Sequence, residues 1–239
     1  QQNAWCIEGG GTDLLNEFYK SYGIRAVACG NTGTQMGGWF RKEIKTVNDL
    51  SGLKFRVGGF AGRILTKLGV VPQQIAGGDI YPALEKGTID AAEWVGPYDD
   101  EKLGFYKVAP HYYSPGWWEP GPAVHFYVNK AEWDKLPKEY QAAFRAAARE
   151  AHILMTATYD HKNPQALARL LAQGVKLQNF STEIMKKAYE VSRELYAEEA
   201  AKNPAWAKIY TEFEKYRKSQ NAWFSVAEAG FDRFMQSVR

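Results

Sequence analysis

One arginine beside a glycine turn is the first candidate for chemistry in this sequence. Arg56 lies near the end of the alternating polar and apolar run 54–57, which predicts a short strand, and Gly58 and Gly59 follow it. Glycine lets a ligand approach the main chain, and a helix predicted from about Ala61 would turn its free N–H groups toward that ligand. A guanidinium binds both oxygens of a carboxylate in one plane. The pattern indicates a carboxylate or phosphate site, although most single arginines lie at the surface.

Two glutamates in apolar surroundings are the second candidate. Glu93 lies in the predicted strand 89–94 beside Trp94, and Glu119, between a tryptophan and a proline, is expected to be buried as well. A buried carboxylate is costly unless it is paired. A hard cation such as sodium or calcium would neutralise both glutamates, and Gln35 would add an amide oxygen. Pairing of each glutamate with a nearby Lys or Arg is the alternative, which the residues alone favour.

Other chemistries have weaker support. The run 58–62, followed by Asp79, is similar to a dinucleotide-binding turn, but Val57 stands where the first glycine is required. The four histidines have no metal-ligand spacing, which argues against zinc. The sequence has no Gly-x-Ser-x-Gly motif, and the glycines at 9–11 lack the Gly-Lys-Ser/Thr of a phosphate loop. Nothing in the sequence indicates a nucleophile with a base.

Composition limits the classes of function. The chain has 239 residues, enough for one large domain or two small ones, and a net charge of +3. Because the basic residues are scattered, a nucleic-acid surface is not expected. No apolar run is long enough to span a bilayer, and no secretory signal opens the chain. The abrupt start without Met suggests a processed or incomplete chain. Cys6 and Cys29 could pair, but free thiols are expected.

The elements that must position the candidate residues follow an α/β pattern. Residues 1–29 read as two helices and a strand, and 31–40 as a loop of small and amide residues. Short strands and helices then alternate between 54 and 94, which predicts a mainly parallel sheet. In such sheets ligands bind at the carboxyl ends of strands, and Arg56 and Glu93 both fall at such ends.

The second half of the chain is predicted to be mainly helical. A long helix at 137–161 is expected to end before Pro164, and another covers 182–201. The last predicted helix covers 204–235, with aromatic residues at helical spacing, and would be about 45 Å long. That length exceeds what one compact lobe needs, so the helix would bridge lobes or pack on another chain. A kink near Gly230 that folds it onto its own domain is the alternative.

Several longer motifs resemble one family of binding proteins. They are the runs 31–40, 52–59, 72–81, 90–100 and 116–119. The whole chain resembles the extracytoplasmic solute-binding subunit of TRAP (tripartite ATP-independent periplasmic) transporters, in the branch that binds 2-oxo acids. The resemblance implies an α/β fold of the periplasmic-binding-protein type, with two lobes that close around a ligand. It also implies a periplasmic location and no catalysis.

The resemblance implies roles for residues that contact the substrate. Arg56 matches an arginine that grips the substrate carboxylate, and Gln35 matches a glutamine that contacts both substrate and cation. Glu119 is included as a substrate-binding candidate because the cation it holds would bridge to the substrate. We add Asn31 as a further candidate lining residue.

The same resemblance implies a set of metal ligands. The matching positions are Gln35, Glu93, Trp94 through its carbonyl oxygen, and Glu119. In the family the cation is commonly sodium, and calcium is the alternative because both ions take oxygen ligands.

The resemblance also divides the chain into four parts. These are a remnant of lobe one with a crossover (1–28), a ligand-binding lobe with the cation site (29–125), a hinge strand with a helical return to lobe one (126–203), and a long C-terminal helix (204–239). Related proteins form dimers through that helix, so a homodimer is expected beside the membrane subunits of the transporter. Family members carry a further segment, with the signal peptide, before this point. We therefore expect a fragment that binds ligand poorly by itself.

The function that these patterns favour is capture of a small 2-oxo monocarboxylate, similar to pyruvate, together with a metal cation for membrane uptake. Longer 2-oxo acids and lactate also fit the pattern. A metal-dependent α/β enzyme acting on a small carboxylic acid is the alternative, but it needs a general base, and the carboxylates at hand are assigned to the cation. A purely structural dimerisation module would leave the turn after Arg56 unexplained.

Overall fold

The computed structural model describes residues 1–238. Its helices and strands are, in chain order, α1 (Gln2–Ile7), α2 (Gly11–Tyr19), β1 (Ile24–Asn31), β2 (Gly38–Phe40), β3 (Lys54–Arg56), α3 (Gly59–Lys67), β4 (Val71–Gln73), α4 (Gly77–Glu85), β5 (Ala91–Ala92), α5 (Pro97–Leu103), β6 (His111–Ser114), β7 (Ala123–Asn129), α6 (Lys130–Lys135), α7 (Lys138–Ala172), β8 (Lys176–Asn179), α8 (Thr182–Lys202), α9 (Pro204–Val226) and α10 (Glu228–Ser237). The predicted α/β class is confirmed.

The chain forms two compact units. The first, here called the helical unit, comprises Gln1–Cys29, Val124–Arg149 and the residues from Ala197 onward. The second, here called the sheet unit, comprises Gly30–Ala123 and Glu150–Tyr196. Each unit is described by itself.

The sheet unit is built on six strands in the order β4-β3-β5-β2-β6-β8. Five of them run in one direction and β2 runs antiparallel to both of its neighbours, so the prediction of a mainly parallel sheet is confirmed. The prediction of a loop over the whole of 31–40 is wrong at its end, because Gly38–Phe40 forms strand β2. Arg56 ends β3, pairs in register with Ala92 of β5, and Glu93 follows directly. Both candidate residues therefore lie at carboxyl ends of strands, as predicted.

Two apolar cores cover the two faces of this sheet. Successive side chains on a strand point to opposite faces, so Phe40 and Tyr113 enter one core while their neighbours Trp39 and Tyr112 enter the other. Helices α3 and α8 cover the first face and α4 covers the second. The strand predicted at 89–94 is paired only at Ala91–Ala92, where β3 and β2 flank it.

The helical unit has a smaller sheet. Among the described residues of the unit, this sheet pairs only β1 with β7. Helices α1, α2, α6, α9 and α10 belong to the helical unit, with parts of α7 and α8. Asn16 ties α2 to β1, because its side chain accepts from the N–H of Ala26 (2.8 Å) and donates to the carbonyl of the same residue (3.0 Å). Cys6 and Cys29 both lie in this unit and are free thiols.

The expected end of the long helix before Pro164 is wrong, since α7 continues through that proline to Ala172. Proline removes one hydrogen bond of the helical ladder. Burial of Ala166 and Leu170 in the next turns, with Leu170 in the second core, compensates for that loss. Tertiary packing therefore decides the length of α7.

The predicted single helix at 204–235 is also wrong. Asn203 caps α9 by accepting from the N–H groups of Ala205 and Trp206, and the helix ends at Val226. Ala227 leaves the helical region with φ −76° and ψ −93°, and α10 follows. The C-terminal region is long and helical, but it breaks at Ala227 rather than near Gly230. Among the described residues, no helix combines the length and the apolar character needed to cross a membrane.

Candidate ligand-binding site

A cavity of about 570 Å³ lies in the sheet unit where β3 and β5 end. It is lined by five of the six candidate site residues, which are Gln35, Arg56, Glu93, Trp94 and Glu119. These residues come from four separate stretches of the sequence, and the order of the strands brings them together. The structure therefore places the candidate cation ligands and Arg56, the residue predicted to bind a carboxylate, around one cavity.

The guanidinium of Arg56 is held on one side by the protein. Its Nη1 donates to the side chain of Glu93 (Oε1, 2.6 Å) and to the carbonyl of the same residue (2.7 Å). Its Nε donates to the carbonyl of Ile75 (3.3 Å), and the group lies 5.0 Å from the ring centre of Trp94. No described residue accepts a hydrogen bond from Nη2. The arginine is thus oriented in advance, with Nη2 left to contact a ligand.

Glu93 is the buried acid of the cavity, with 5% of its surface exposed. Burial raises its pKa to about 7; Arg56 opposes this shift, and the negative charges of Glu119 and Asp100 add to it. Its second oxygen, Oε2, accepts from Nε2 of Gln35 at 2.9 Å. Glu93 therefore forms an ion pair with Arg56. The sequence analysis gave such pairing with Lys or Arg as the alternative to a bound cation.

The expectation that Glu119 is buried is wrong, because the residue is exposed. In the loop after β6, the neighbouring Trp118 packs against Phe55 and Phe180 in the core, and this leaves Glu119 at the cavity. Its carboxylate has no hydrogen bond or salt bridge with any residue between 1 and 238. It remains a free anionic group beside Glu93.

Three oxygen groups in this region have no partner among the described residues. The amide nitrogen of Gln35 donates to Glu93, and its amide oxygen, Oε1, accepts no hydrogen bond from a described residue. The main-chain carbonyl of Trp94 and the carboxylate of Glu119 are likewise unengaged within residues 1–238. Carboxylate, amide and carbonyl oxygens are the ligands that hard cations prefer, so these residues fit a sodium or calcium ion.

Residues 1–238 contain no group of three or more His, Cys, Asp or Glu side chains that could hold a metal ion. The predicted ligand set has only two carboxylates, Glu93 and Glu119, and otherwise uses amide and main-chain oxygens. Such a site suits an ion that accepts neutral oxygens and not a zinc centre. The assignment of the ligands stays a prediction.

The glycine turn lies on the wall of the same cavity. Helix α3 begins at Gly59, two residues before the expected start, and Gly58 precedes it as the cap. Gly59 has a φ of +59°, a conformation that favours glycine. A second cavity of about 400 Å³ reaches from this turn past Arg56 to Gln74. The main-chain N–H groups at the start of α3 thus belong to the wall around the guanidinium, as the anion-site prediction requires.

Asn31 is the candidate that the structure does not bring to the cavity. Its Oδ1 accepts from the N–H of Gly33 (2.8 Å), and its carbonyl accepts from the hydroxyl of Thr156 (3.0 Å). The residue is buried at the end of β1 and is not among those that line the cavity.

Asp100 is a polar residue next to the site that the sequence analysis missed. It lies in the first turn of α5 and is fully buried (0% exposed). Burial raises its pKa to about 6, against the hydrogen bonds from Trp39, Tyr112 and the main chain. An acid four residues after Gly96, where Pro97 starts a helix, was the available signal, because acids in a first turn bind free N–H groups.

The sequence matches a family model. The model for bacterial extracellular solute-binding proteins, family 7, matches residues 1–203. A monocarboxylate 2-oxoacid-binding periplasmic protein of Nostoc sp. (strain PCC 7120) is 48% identical over 237 residues. This alignment covers 99% of the present chain and 65% of the relative, so the chain spans less than two thirds of that relative's length.

Solved structures agree with this match. A TRAP transporter solute-binding protein from Bordetella bronchiseptica RB50, a mixed-occupancy dimer with copurified calcium and picolinate, is 53% identical with a TM-score of 0.95 over 99% of this chain and 70% of that one. A TRAP periplasmic solute-binding protein from Pseudoalteromonas atlantica T6c, with bound sodium and pyruvate, is 43% identical with a TM-score of 0.92 over 97% and 71%. One from Colwellia psychrerythraea, with bound calcium and pyruvate, is 42% identical with a TM-score of 0.93 over 96% and 70%.

Proposed function

Because the chain belongs to the bacterial extracellular solute-binding proteins of family 7, we propose that it captures a small 2-oxo monocarboxylate, such as pyruvate, together with a metal cation for uptake by a TRAP transporter. The family and the relatives are solute-binding proteins and not enzymes. Related proteins with bound pyruvate and sodium or calcium support the choice of ligands.

The observation that carries the proposal is the convergence of one arginine and two glutamates on one cavity. Arg56 supplies a fixed positive group with Nη2 free for a carboxylate, since Glu93 and Ile75 occupy its other donors. Glu93 and Glu119 supply negative charge where a cation would be held. A cavity with one positive group and two negative groups matches a ligand that is an anion accompanied by a cation.

The chain's own residues perform distinct tasks in this proposal. Arg56 binds and orients the substrate carboxylate, and Glu93 keeps the guanidinium in place. Gln35, Trp94 and Glu119 present unengaged oxygens that would hold the cation with Glu93. A bound cation would neutralise the two glutamates and present a positive charge to the substrate's oxo group.

Three further assignments extend the proposal. Residues 29–125 form the ligand-binding lobe, since every lining residue of the cavity lies between 35 and 122. Residues 1–28 are a remnant of lobe one with its crossover, and 204–239 form the dimerisation region. Residues 126–203 form the hinge strand and the helical return to lobe one, and the part 150–196 of that return packs within the sheet unit. The protein acts in the periplasm, where it delivers its ligand to the membrane subunits of the transporter.

A homodimer through the C-terminal helices is part of the same proposal. Helices α9 and α10 expose Trp223, Val226, Phe231 and Phe234, which are large apolar side chains at the surface. The Bordetella relative is described as a dimer. Light scattering should give twice the mass of the chain, and Trp223→Glu with Phe231→Glu should give the mass of one chain. A monomeric mass for the unaltered protein would contradict the dimer.

Calorimetric titration of the complete gene product tests the ligand assignment. We expect pyruvate to bind in the presence of sodium or calcium and to bind much more weakly without either ion. Arg56→Lys should weaken binding at least about tenfold, because one ammonium cannot keep the bonds to Glu93 and Ile75 and also contact the ligand.

Arg149→Lys is the matched control, since Arg149 is exposed and lies outside the cavity. Its binding should equal that of the unaltered protein. Unchanged binding by Arg56→Lys would remove Arg56 from the site. Turnover of pyruvate or lactate followed by NMR would support an enzyme instead.

A further inference from the structure

The carboxylate of Asp100 joins two parts of the sheet unit. Its Oδ1 accepts hydrogen bonds from the main-chain N–H groups of Val95 (3.2 Å) and Gly96 (3.1 Å). Its Oδ2 accepts from the indole of Trp39 (2.9 Å) and the hydroxyl of Tyr112 (2.8 Å). One buried side chain therefore connects β2 and β6 to the segment that follows β5.

That segment carries two of the proposed cation ligands, Glu93 and Trp94. Its carbonyls at Glu93 and Gly96 accept hydrogen bonds from Arg56 and from the first turn of α5, respectively. The N–H of Glu93 donates to the carbonyl of Arg56 (3.2 Å), and the N–H of Met36 donates to the carbonyl of Val95 (3.1 Å). The carbonyl of Trp94 lies between these anchors and accepts no hydrogen bond from a described residue. The direction of this carbonyl depends on the neighbouring residues, and Asp100 holds the next two, Val95 and Gly96.

The two side chains that donate to Oδ2 of Asp100 are packed in the core. Trp39 and Tyr112 are completely buried and stack on each other with ring centres 3.9 Å apart and planes at 15°. Within residues 1–238, Asp100 forms no salt bridge with Lys, Arg or His, so four hydrogen-bond donors alone stabilise its charge. That charge lies close to the cavity, because Oδ1 of Asp100 accepts from the N–H of Val95, a residue of the cavity wall.

We propose that Asp100 is a positioning residue for the cation side of the cavity. Through Val95 and Gly96 it sets the direction of the Trp94 carbonyl, and its charge lies next to the cavity wall at Val95. The inference rests on the proposed function, but it adds a residue outside the cavity wall that tunes cation binding. Its effect should depend on the charge of the ion.

Asp100→Asn tests this inference with little change of shape. The amide cannot accept from both donor pairs, and the negative charge is lost. In calorimetric titrations of the complete gene product at a fixed pyruvate concentration, the apparent affinity for calcium should fall at least about tenfold, the scale expected when hydrogen bonds to a charged group are lost. The loss should be smaller for sodium, because attraction to a fixed charge grows with ionic charge.

Two controls separate positioning from general damage. Asp99→Asn makes the same change at the adjacent residue, whose carboxylate contacts Tyr159 and Lys102. Tyr112→Phe removes one hydrogen bond from Asp100 but keeps its charge and both bonds to the segment. We expect each control to change calcium affinity less than about threefold, since each leaves the bonds to Val95 and Gly96 intact.

Melting curves recorded without ligand show whether each variant is folded. If Asp100→Asn does not fold, Asp100→Glu replaces it, because this variant keeps the charge but moves the carboxylate by one methylene. It should also lose calcium affinity more than Tyr112→Phe does. Equal calcium affinity of a folded Asp100→Asn and the unaltered protein would overturn the inference alone, as would equal losses for sodium and calcium. If the unaltered protein binds no pyruvate with either ion, the proposed function fails and the inference with it.

Discussion

The two units of the chain differ in what holds them together. The sheet unit has six strands covered on both faces, and all residues of its two buried apolar cores lie within it. Up to residue 238, the helical unit pairs only two strands, and β7 leaves Phe126 and Tyr127 exposed. Hydrophobic burial is the main favourable term in folding. The sheet unit should therefore be the more stable of the two.

The difference matters because every residue of the cavity belongs to the sheet unit. A site that must hold Arg56, Glu93 and Glu119 in fixed positions needs a backbone that seldom opens. Regions with few buried apolar contacts open locally at lower free energy. The cavity residues therefore lie on the unit that we expect to be the more stable.

The largest expected effect is a matched pair of Phe→Ala substitutions. Phe55 is 1% exposed in the first core, directly before Arg56, whereas Phe126 is 47% exposed on β7. Phe55→Ala should lower the free energy of unfolding by about 3–5 kcal/mol, the usual cost of emptying a core position. Phe126→Ala should cost less than about 1 kcal/mol, because surface substitutions have small effects. Urea unfolding followed by circular dichroism measures both.

One outcome of these unfolding measurements would contradict the expected difference in stability between the two units. Equal losses for Phe55→Ala and Phe126→Ala would show that β7 is as well packed as the sheet unit. Ligand affinity is a second measurement. Phe55→Ala should also weaken ligand binding, because loss of packing at Phe55 should displace the adjacent Arg56.

The second prediction concerns the pH dependence of the sheet unit. The pKa of Glu93 is raised from 4.5 to about 7 in the folded protein. Between these values the folded state binds more protons than the unfolded state, so stability falls as the pH rises from about 4.5 to about 7. At 1.36 kcal/mol per pKa unit the effect of Glu93 is on the order of 3 kcal/mol. Asp100, whose pKa is raised to about 6, changes stability in the same direction.

Glu93→Gln should flatten this profile, since the amide carries no charge at any pH. The control is Glu119→Gln, which changes an exposed glutamate of the same cavity. Free energies of unfolding at pH 5 and pH 8 are compared for the three proteins. If Glu93→Gln keeps the full difference between the two pH values, the burial of Glu93 is not its source.

Local patterns predicted the parts of the fold that short stretches determine. The alternation of strands and helices predicted Arg56 and Glu93 at the carboxyl ends of strands, and the structure has them there, on two strands that pair with each other. The start of α3 was predicted to within two residues because glycine and apolar spacing are local signals. These features depend on residues that are close in the sequence.

Features that depend on distant contacts were not predicted. Gly38–Phe40 becomes a strand only because β5 and β6 pair with it. Continuation of α7 through Pro164 depends on packing in the second core, and Asp100 contacts Trp39 and Tyr112 from elsewhere in the chain. The exposure of Glu119 follows from where the tryptophan before it packs. A single sequence carries no direct signal for such contacts.

The smallest expected effect tests what holds the helical unit together. Asn16 is buried and forms both hydrogen bonds that join α2 to Ala26 of β1. Asn16→Ala leaves the N–H and the carbonyl of Ala26 unpaired, at a cost of about 1–3 kcal/mol. Because the two units have separate cores, amide exchange should accelerate in β1 and α2 but stay unchanged in β3 and β5. Asn221→Ala, at an exposed position of α9, is the control and should change neither. Faster exchange in β3 after Asn16→Ala would mean that the units unfold as one, and the contrast between them would not hold in solution.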